Sequence, residues 1–408
     1  MLHYLLFGER AGFRPNAFFD PRHYRDELLA AGELPGWPLL THYAEQGATH
    51  LVTPSPEFHP EWYSWQNPDW NLSNYTHPLA HYLNVGLQQL RDPSPFIDLR
   101  RHISKLGLDL ALGPAVAVLA EVRRHGRLMG PGITKDFEEL RARQTAFRTG
   151  LNYEVIRRAH ALRRNLVFLQ SGTDASPAYL VPDRDFDVLR NYYVDPSAQV
   201  CSESDHVLFQ RGTKVTSIDS ILGRDPELLL AYDHVLFLDD DIELGAQDVS
   251  SFFAIMERHD IALAQPLLTP ESNCIWPIFK DSGHVGKIVP VSSVEVMMPG
   301  FSREALRRLA WTFHETISGF GVDLLWGHTL AAEREAGRIA IIGGVVARHE
   351  RVIDDIGGSF YNFMAHNDIN PKLELWMVMS EHGVVPQFRA LERDACLSRF
   401  GISKSGNG

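Results

Sequence analysis

From Asn165 onward, short apolar runs alternate with stretches of helical spacing. Leu166-Val-Phe-Leu169 reads as a buried strand that feeds the loop Ser171-Gly-Thr-Asp174. Phe186 to Val194 reads as a second strand, ending at Asp195-Pro196. Residues 214–230 suit a helix, and His234-Val-Leu-Phe-Leu238 is a third strand. Further along, Ile339 to His349 reads as a strand that ends on its histidine. Strand and helix in alternation predict an α/β domain whose loops at the strand C-termini hold ligands. Residues 101–164 carry a different pattern, with helices expected over Val116–Arg127 and Asp136–Arg164 on either side of Gly130-Pro131-Gly132. The pattern therefore predicts 1–100 as a helical module, 101–164 as a helical connector, 165–355 as the α/β domain and 356–408 as a helical extension.

The first hundred residues repeat. His-Tyr pairs stand at His3-Tyr4, His42-Tyr43 and His81-Tyr82, 39 residues apart, and Gly8, Gly47 and Gly86 keep the same period. Pro15, Pro54 and Pro93 follow it too, while Phe19, Pro21 and Tyr24 recur as Phe58, Pro60 and Tyr63. So many positions on one period mark a true internal repeat. Each unit is expected to hold an aromatic-anchored helix, as at Pro60–Trp65, and a second helix at Pro78–Leu83 closed by Gly86 as its C-cap. The repeated histidine is read as a packing residue between units rather than a ligand, because repeats preserve packing positions.

Composition narrows the classes. The net charge is −12, with 39 Lys plus Arg against 51 Asp plus Glu, which argues against nucleic acid as a partner. The charge is uneven. Residues 1–100 hold 6 basic and 11 acidic side chains, residues 101–160 hold 11 and 6, and the remainder holds 22 and 34. The basic connector carries Arg123, Arg124, Arg127, Arg141, Arg143, Arg157, Arg158, Arg163 and Arg164. A solvated face packed on acidic neighbours is preferred for it, with peripheral membrane or partner-protein contact through the connector or the repeats as the alternative. Three cysteines, Cys201, Cys274 and Cys396, suggest neither disulfides nor a Cys zinc site. With no signal-peptide pattern at the start and no apolar stretch of about 18–20 residues, a cytoplasmic protein is expected.

The chemistry gathers after the third strand, which runs straight into Asp239-Asp240-Asp241. In extended backbone Asp239 and Asp241 would share one side while Asp240 faces away. Two carboxylates so placed stay ionised together when a cation lies beside them, and oxygen ligands favour Mg2+ or Mn2+, ions that bridge to diphosphates. A strand followed by Asp-x-Asp also occurs in haloacid-dehalogenase-like phosphatases, where the first Asp is the nucleophile. That reading would make Asp239 the nucleophile of a phosphohydrolase, but Ile242-Glu243-Leu244 follows here in place of Gly-Thr.

Two resemblances carry the functional expectation. Phe58, Tyr63, Asn67-Pro68-Asp69, Pro78-Leu79-Ala80-His81-Tyr82, Gly86 and Asp92-Pro93-Ser94-Pro95-Phe96 are similar to a repeat found beside the catalytic domains of bacterial cell-surface polysaccharide glycosyltransferases. The first unit begins in mid-repeat at Met1, as in an excised piece of a longer protein. Downstream, Asp239-Asp240-Asp241, Val294-Glu-Val-Met-Met-Pro-Gly-Phe-Ser302, Phe320-Gly-Val-Asp323 and His349 come in the order of a GT-A-like family shared by plants and bacteria. The resemblance covers about 165–355 and departs from the family at Asp240, Val296 and Phe320.

This resemblance implies a GT-A, Rossmann-like catalytic domain preceded by an all-α repeat module. It implies a glycosyltransferase that moves a sugar, with inversion, from a nucleotide-sugar donor to a glycan or lipid-linked glycan acceptor in bacterial surface-polysaccharide assembly, at the inner face of the cytoplasmic membrane. Asp239, Asp241 and His349 would hold Mn2+ or Mg2+, and Asp323 would be the general base for the acceptor hydroxyl. Lys214 would contact phosphate, Gly172 would let backbone approach the nucleotide, and Asp195 would accept from base or ribose, with Ser171 and Asp240 in the same donor-binding group. Glu295 and Trp276 would line the sugar pocket. A degenerate, non-catalytic glycan-binding protein is the remaining alternative.

Overall fold

The computed structural model describes residues 3–34, 36, 38–107, 114–129, 132–159, 163–173, 175–196, 203–351 and 358–391. Cys201, Cys396 and the Gly130-Pro131 breaker lie outside them. The chain divides into two compact units, one of residues 1–143 with 355–376, the other of residues 144–354 with 377–408.

The first unit is all helical among its described residues, and its 39-residue period is visible as repeated contacts. Tyr24 Oη meets His42 Nδ1 at 3.0 Å, and 39 residues later Tyr63 Oη meets His81 Nδ1 at 2.9 Å. Tyr43 packs edge-on against Tyr24, and Tyr82 packs the same way against Tyr63. His42 and His81 are therefore hydrogen-bonded packing residues, the first half-buried and the second buried. Between units the backbone repeats as well, with Asp20 N donating to Pro54 O (2.8 Å), His59 N to Pro93 O (3.0 Å) and Asp98 N to Gly132 O (3.0 Å). The third of these junctions was not visible in the sequence, because Ile97 and Leu99 replace the Phe and Pro of the earlier units.

Gly86 is not a C-cap. It sits inside a wide helical turn, Tyr82–Gly86, with right-handed backbone continuing at Leu87. A Cβ there would run into the Tyr63 hydroxyl and to within 2.8 Å of the Tyr82 ring, so the glycine is needed for tyrosine packing.

The second unit is built on a mixed sheet of ten strands: β1 (Glu154–Arg157), β2 (Asn165–Ser171), β3 (Phe186–Tyr192), β4 (His206–Phe209), β5 (His234–Asp239), β6 (Ile242–Glu243), β7 (Leu263–Leu268), β8 (Ile288–Pro290), β9 (Gly300–Ser302) and β10 (Ile339–His349). The order is β1-β4-β3-β2-β5-β9-β7-β10-β6, with β8 also on β10. Pairs β2/β3, β2/β5, β3/β4 and β7/β10 are parallel, while β9 runs antiparallel between β5 and β7. An N-terminal helical region thus precedes an open α/β sheet. Buried residues run nearly unbroken along β2 and β3, as expected of strands covered on both faces.

Two expected helices end early for local reasons. The helix at 136–164 stops at Thr149, and β-branched Val155-Ile156 join β1, antiparallel to β4. The helix at 214–230 breaks at Asp225, the residue before Pro226, where helical backbone is disfavoured. Three connector arginines of this unit are taken up by carboxylates. Arg158 pairs with Asp225, Arg163 with Asp187 and Asp205, and Arg164 with Asp233 and Glu257.

Candidate active site

β2, β3 and β5 lie parallel, so their C-terminal ends open on the same edge of the sheet. β5 ends at Asp239, and Asp240-Asp241 form the turn into β6. The rule that neighbouring side chains alternate applies only to extended chain, so it fails at this turn. Asp240 does not face away. Its Oδ2 accepts the Gly172 N–H at 2.7 Å, tying the β5 turn to the loop after β2.

His349 is brought to the turn by β10. A bulge between Ile342 and Val346 shifts its register on β7, and beyond it buried and exposed residues alternate so that His349 faces inward. Its backbone pairs with Ile242, the residue after Asp241. His349 Nε2 then lies 3.3 Å from Asp241 Oδ2, while His349 Nδ1 meets the Asn273 carbonyl at 2.6 Å. Burial alone would lower the His349 pKa, but the Asp241 contact and the Asn273 carbonyl raise it. For Asp241, burial pushes upward, and His349 followed by Arg351 outweighs it and holds the carboxyl below its ordinary value.

Lys214 opens the helix Lys214–Arg224, whose N-cap Thr213 accepts from Thr216 N. Its Nζ donates to Asp239 Oδ2 at 2.8 Å and to the Met297 carbonyl at 2.6 Å. Burial raises the Asp239 pKa, with the Lys214 ammonium opposing.

Asp323 lies in the first turn of the helix Val322–Thr329 and is buried. One turn on, Trp326 packs edge-on against Phe301 of β9 and donates to Thr312 Oγ1, which fixes the helix to the sheet. Burial drives the Asp323 carboxyl up to about 7, Glu295 adds to this, and the Leu324 and Val296 N–H groups oppose it. Glu295 is raised by burial too, and its Oε2 lies 3.6 Å from Cys274 Sγ. The His349 and Lys214 charges pull the Glu295 carboxyl down against its burial, while Asp239 pushes it up.

The other expected donor and sugar residues sit differently. Asp195 is exposed and paired with Arg211. Ser171 Oγ is used internally, donating to Thr173 O and accepting from Arg190. The space a Gly172 Cβ would need is filled by the Tyr193 hydroxyl, so this glycine admits a tyrosine. Trp276 packs edge-on against Phe388. Asp239, Asp240 and Asp241 line a cleft of about 650 Å3, together with Thr173, Tyr179 and Arg348 among others.

Reading along the chain missed three residues. Arg351 stands 3.4 Å from Asp241 Oδ2 and 3.5 Å from Asp240 Oδ1, with the Tyr193 side chain near it. Arg190 is fully buried and gathers the loop after β2, donating to Ser171 Oγ and to the Thr173 and Ala175 carbonyls. An Arg two residues beyond a strand-ending His was the one available signal.

The donor set fits a divalent ion. Asp241 Oδ1 is buried without a hydrogen-bond partner, and the Nδ1–H of His349 on a backbone carbonyl leaves Nε2 directed at Asp241, the way a ligating histidine is usually oriented. Asp239 is turned toward Lys214 instead. Among the described residues, three His, Cys, Asp or Glu ligand atoms come within 4.8 Å of one another at Glu315, Glu381 and His382, a separate acidic and histidine cluster. No described helix is long and apolar enough to cross a membrane.

No family model matches the chain, and no curated protein matches it. Among solved structures, the crystal structure of S. aureus TarS aligns at 9% identity and TM-score 0.32, over 47% of this chain and 37% of TarS. The mannosyltransferase PcManGT from Pyrobaculum calidifontis, in complex with GDP-Man and Mn2+, aligns at 11% identity and TM-score 0.31, over 61% of this chain and 86% of that one. Glucosyl-3-phosphoglycerate synthase from Mycobacterium tuberculosis, with Mg2+ and UDP, aligns at 15% identity and TM-score 0.30, over 59% and 85%. The chain spans little more than a third of the length of TarS. Likenesses at these scores do not assign a function.

Proposed function

We propose that the chain is a metal-dependent GT-A glycosyltransferase that moves a sugar from a nucleotide sugar to a glycan acceptor with inversion at the anomeric carbon. The observation that carries this is Asp241, whose buried, unpartnered Oδ1 and His349-facing Oδ2 stand at the edge of the cleft. Asp241 and His349 would hold Mn2+ or Mg2+. When bound, the ion supplies positive charge for the departing nucleoside diphosphate.

The chain's own residues do the rest. Lys214 adds a fixed cation next to Asp239, already desolvated and held by the Met297 carbonyl. Asp240 and Gly172 lock the β2 loop to the β5 turn, which shapes the cleft that takes the nucleoside. Asp323, with a pKa of about 7, is matched to taking a proton from an acceptor hydroxyl near neutrality. Glu295 would face the sugar. The helical repeats would dock the acceptor glycan or a partner, and the work would take place at the cytoplasmic face of the membrane in surface-polysaccharide assembly.

The test is transfer from a panel of nucleotide sugars with Mn2+ present. Asp241→Ala and Asp323→Ala should abolish transfer while circular dichroism shows both variants folded. Full transfer by either one overturns the assignment of that residue.

A further inference from the structure

Three carboxylates crowd the β5 turn, and two permanent cations face them, but the cations are held in different ways. Lys214 is 8% exposed, lies 2.8 Å from Asp239 and is fastened a second time by the Met297 carbonyl. Arg351 is 56% exposed, and it meets Asp240 and Asp241 at 3.5 and 3.4 Å, while those two carboxylates are only 8% and 14% exposed. Charge-assisted hydrogen bonds between such groups run at about 2.7–2.9 Å, so the Lys214 pair is closed and the Arg351 pair is loose. Arg351 is laid over the turn from the solvent side.

Arg351 and His349 share one oxygen, Asp241 Oδ2. A divalent cation bound between Asp241 and His349 would meet the guanidinium at that oxygen, and two cations cannot both take it at full strength. We propose that Arg351 is a positioning residue that competes with the divalent ion for Asp241 and so sets how tightly this site takes metal. The proposal rests on the metal reading of Asp241 and His349 given above. It adds what that reading lacks, a built-in counter-ion that holds the carboxylates in place and yields them to a stronger cation.

The experiment is a titration of the full chain with Mn2+ alone, following free Mn2+ by its paramagnetic resonance signal. Arg351→Gln should bind Mn2+ about tenfold more tightly than the parent, in the range usual for coupling between neighbouring sites. Asp241→Asn should lose Mn2+ binding. A merely structural arginine would weaken metal binding on removal, so the direction of the change is the readout. If Arg351→Gln binds Mn2+ no more tightly than the parent while Asp241→Asn loses it, the proposal is overturned and the metal reading stands. If the parent and Arg351→Gln both fail to bind Mn2+, the metal reading falls, and the proposal with it.

Discussion

Replacing Asp323 by asparagine removes a proton that the folded protein holds more tightly than the unfolded chain. The carboxyl is buried, and its pKa rises from the ordinary 3.8 to about 7, through burial first and the Glu295 carboxylate second. A group whose folded pKa is raised keeps its proton in the native state through the window between those values. Its unfavourable effect on stability is therefore absent below about pH 4 and grows as the pH climbs toward about 7. At about 1.4 kcal/mol per pKa unit, the complete effect is about 4 kcal/mol, of which about 3 kcal/mol develops between about pH 5 and about pH 8. The asparagine side chain does not ionise, so that part of the pH dependence disappears in Asp323→Asn. Its amide also meets the Leu324 and Val296 N–H groups less well than a carboxylate does, but this offset does not depend on pH. The assay is chemical denaturation of parent and variant at closely spaced pH values. The stability difference should shift in the variant's favour by about 3 kcal/mol across that range. Parallel curves for the two proteins would refute the burial argument for Asp323. In the parent, kcat/KM should rise with pH through a limb near 7, because the base works ionised.

Gly86→Ala drives a methyl into the Tyr63 hydroxyl and the Tyr82 ring, and it should destabilise the helical unit by about 1–3 kcal/mol, read as a lowered melting temperature. An unchanged melting temperature would show that the tyrosine pair gives way freely. Lys214→Met removes the buried cation that would meet the diphosphate, so a nucleoside diphosphate with Mn2+ should bind the variant at least about tenfold more weakly by calorimetry. Equal affinity would remove Lys214 from the donor site.

Much of the site was legible because it lies on regular elements. A run of apolar residues ending in acids marked β5 and its turn, and the long apolar run ending in His349 marked β10. What periodicity could not show was the path of the chain between elements. The alternation rule turned Asp240 outward because it treats a turn as strand, whereas the turn carries Asp240 back to Gly172. Gly172 suggested space for a ligand, but a glycine records only that something approaches, and here it is Tyr193. Arg351 was missed because its partners lie 110 and 111 residues away in sequence and no local pattern links them. In the repeats, the Tyr–His contact follows from two positions on one period, and the third backbone junction was hidden because only its main chain is repeated.

The central claim is a metal-dependent nucleotide-sugar site at Asp241 and His349. The most direct measurement is calorimetric titration of the parent and Asp241→Asn proteins with a panel of nucleotide sugars, with and without Mn2+. The account predicts that at least one donor binds the parent only when Mn2+ is present, and that Asp241→Asn loses this binding. A panel that never binds, or a donor bound equally well without metal by both proteins, would contradict it.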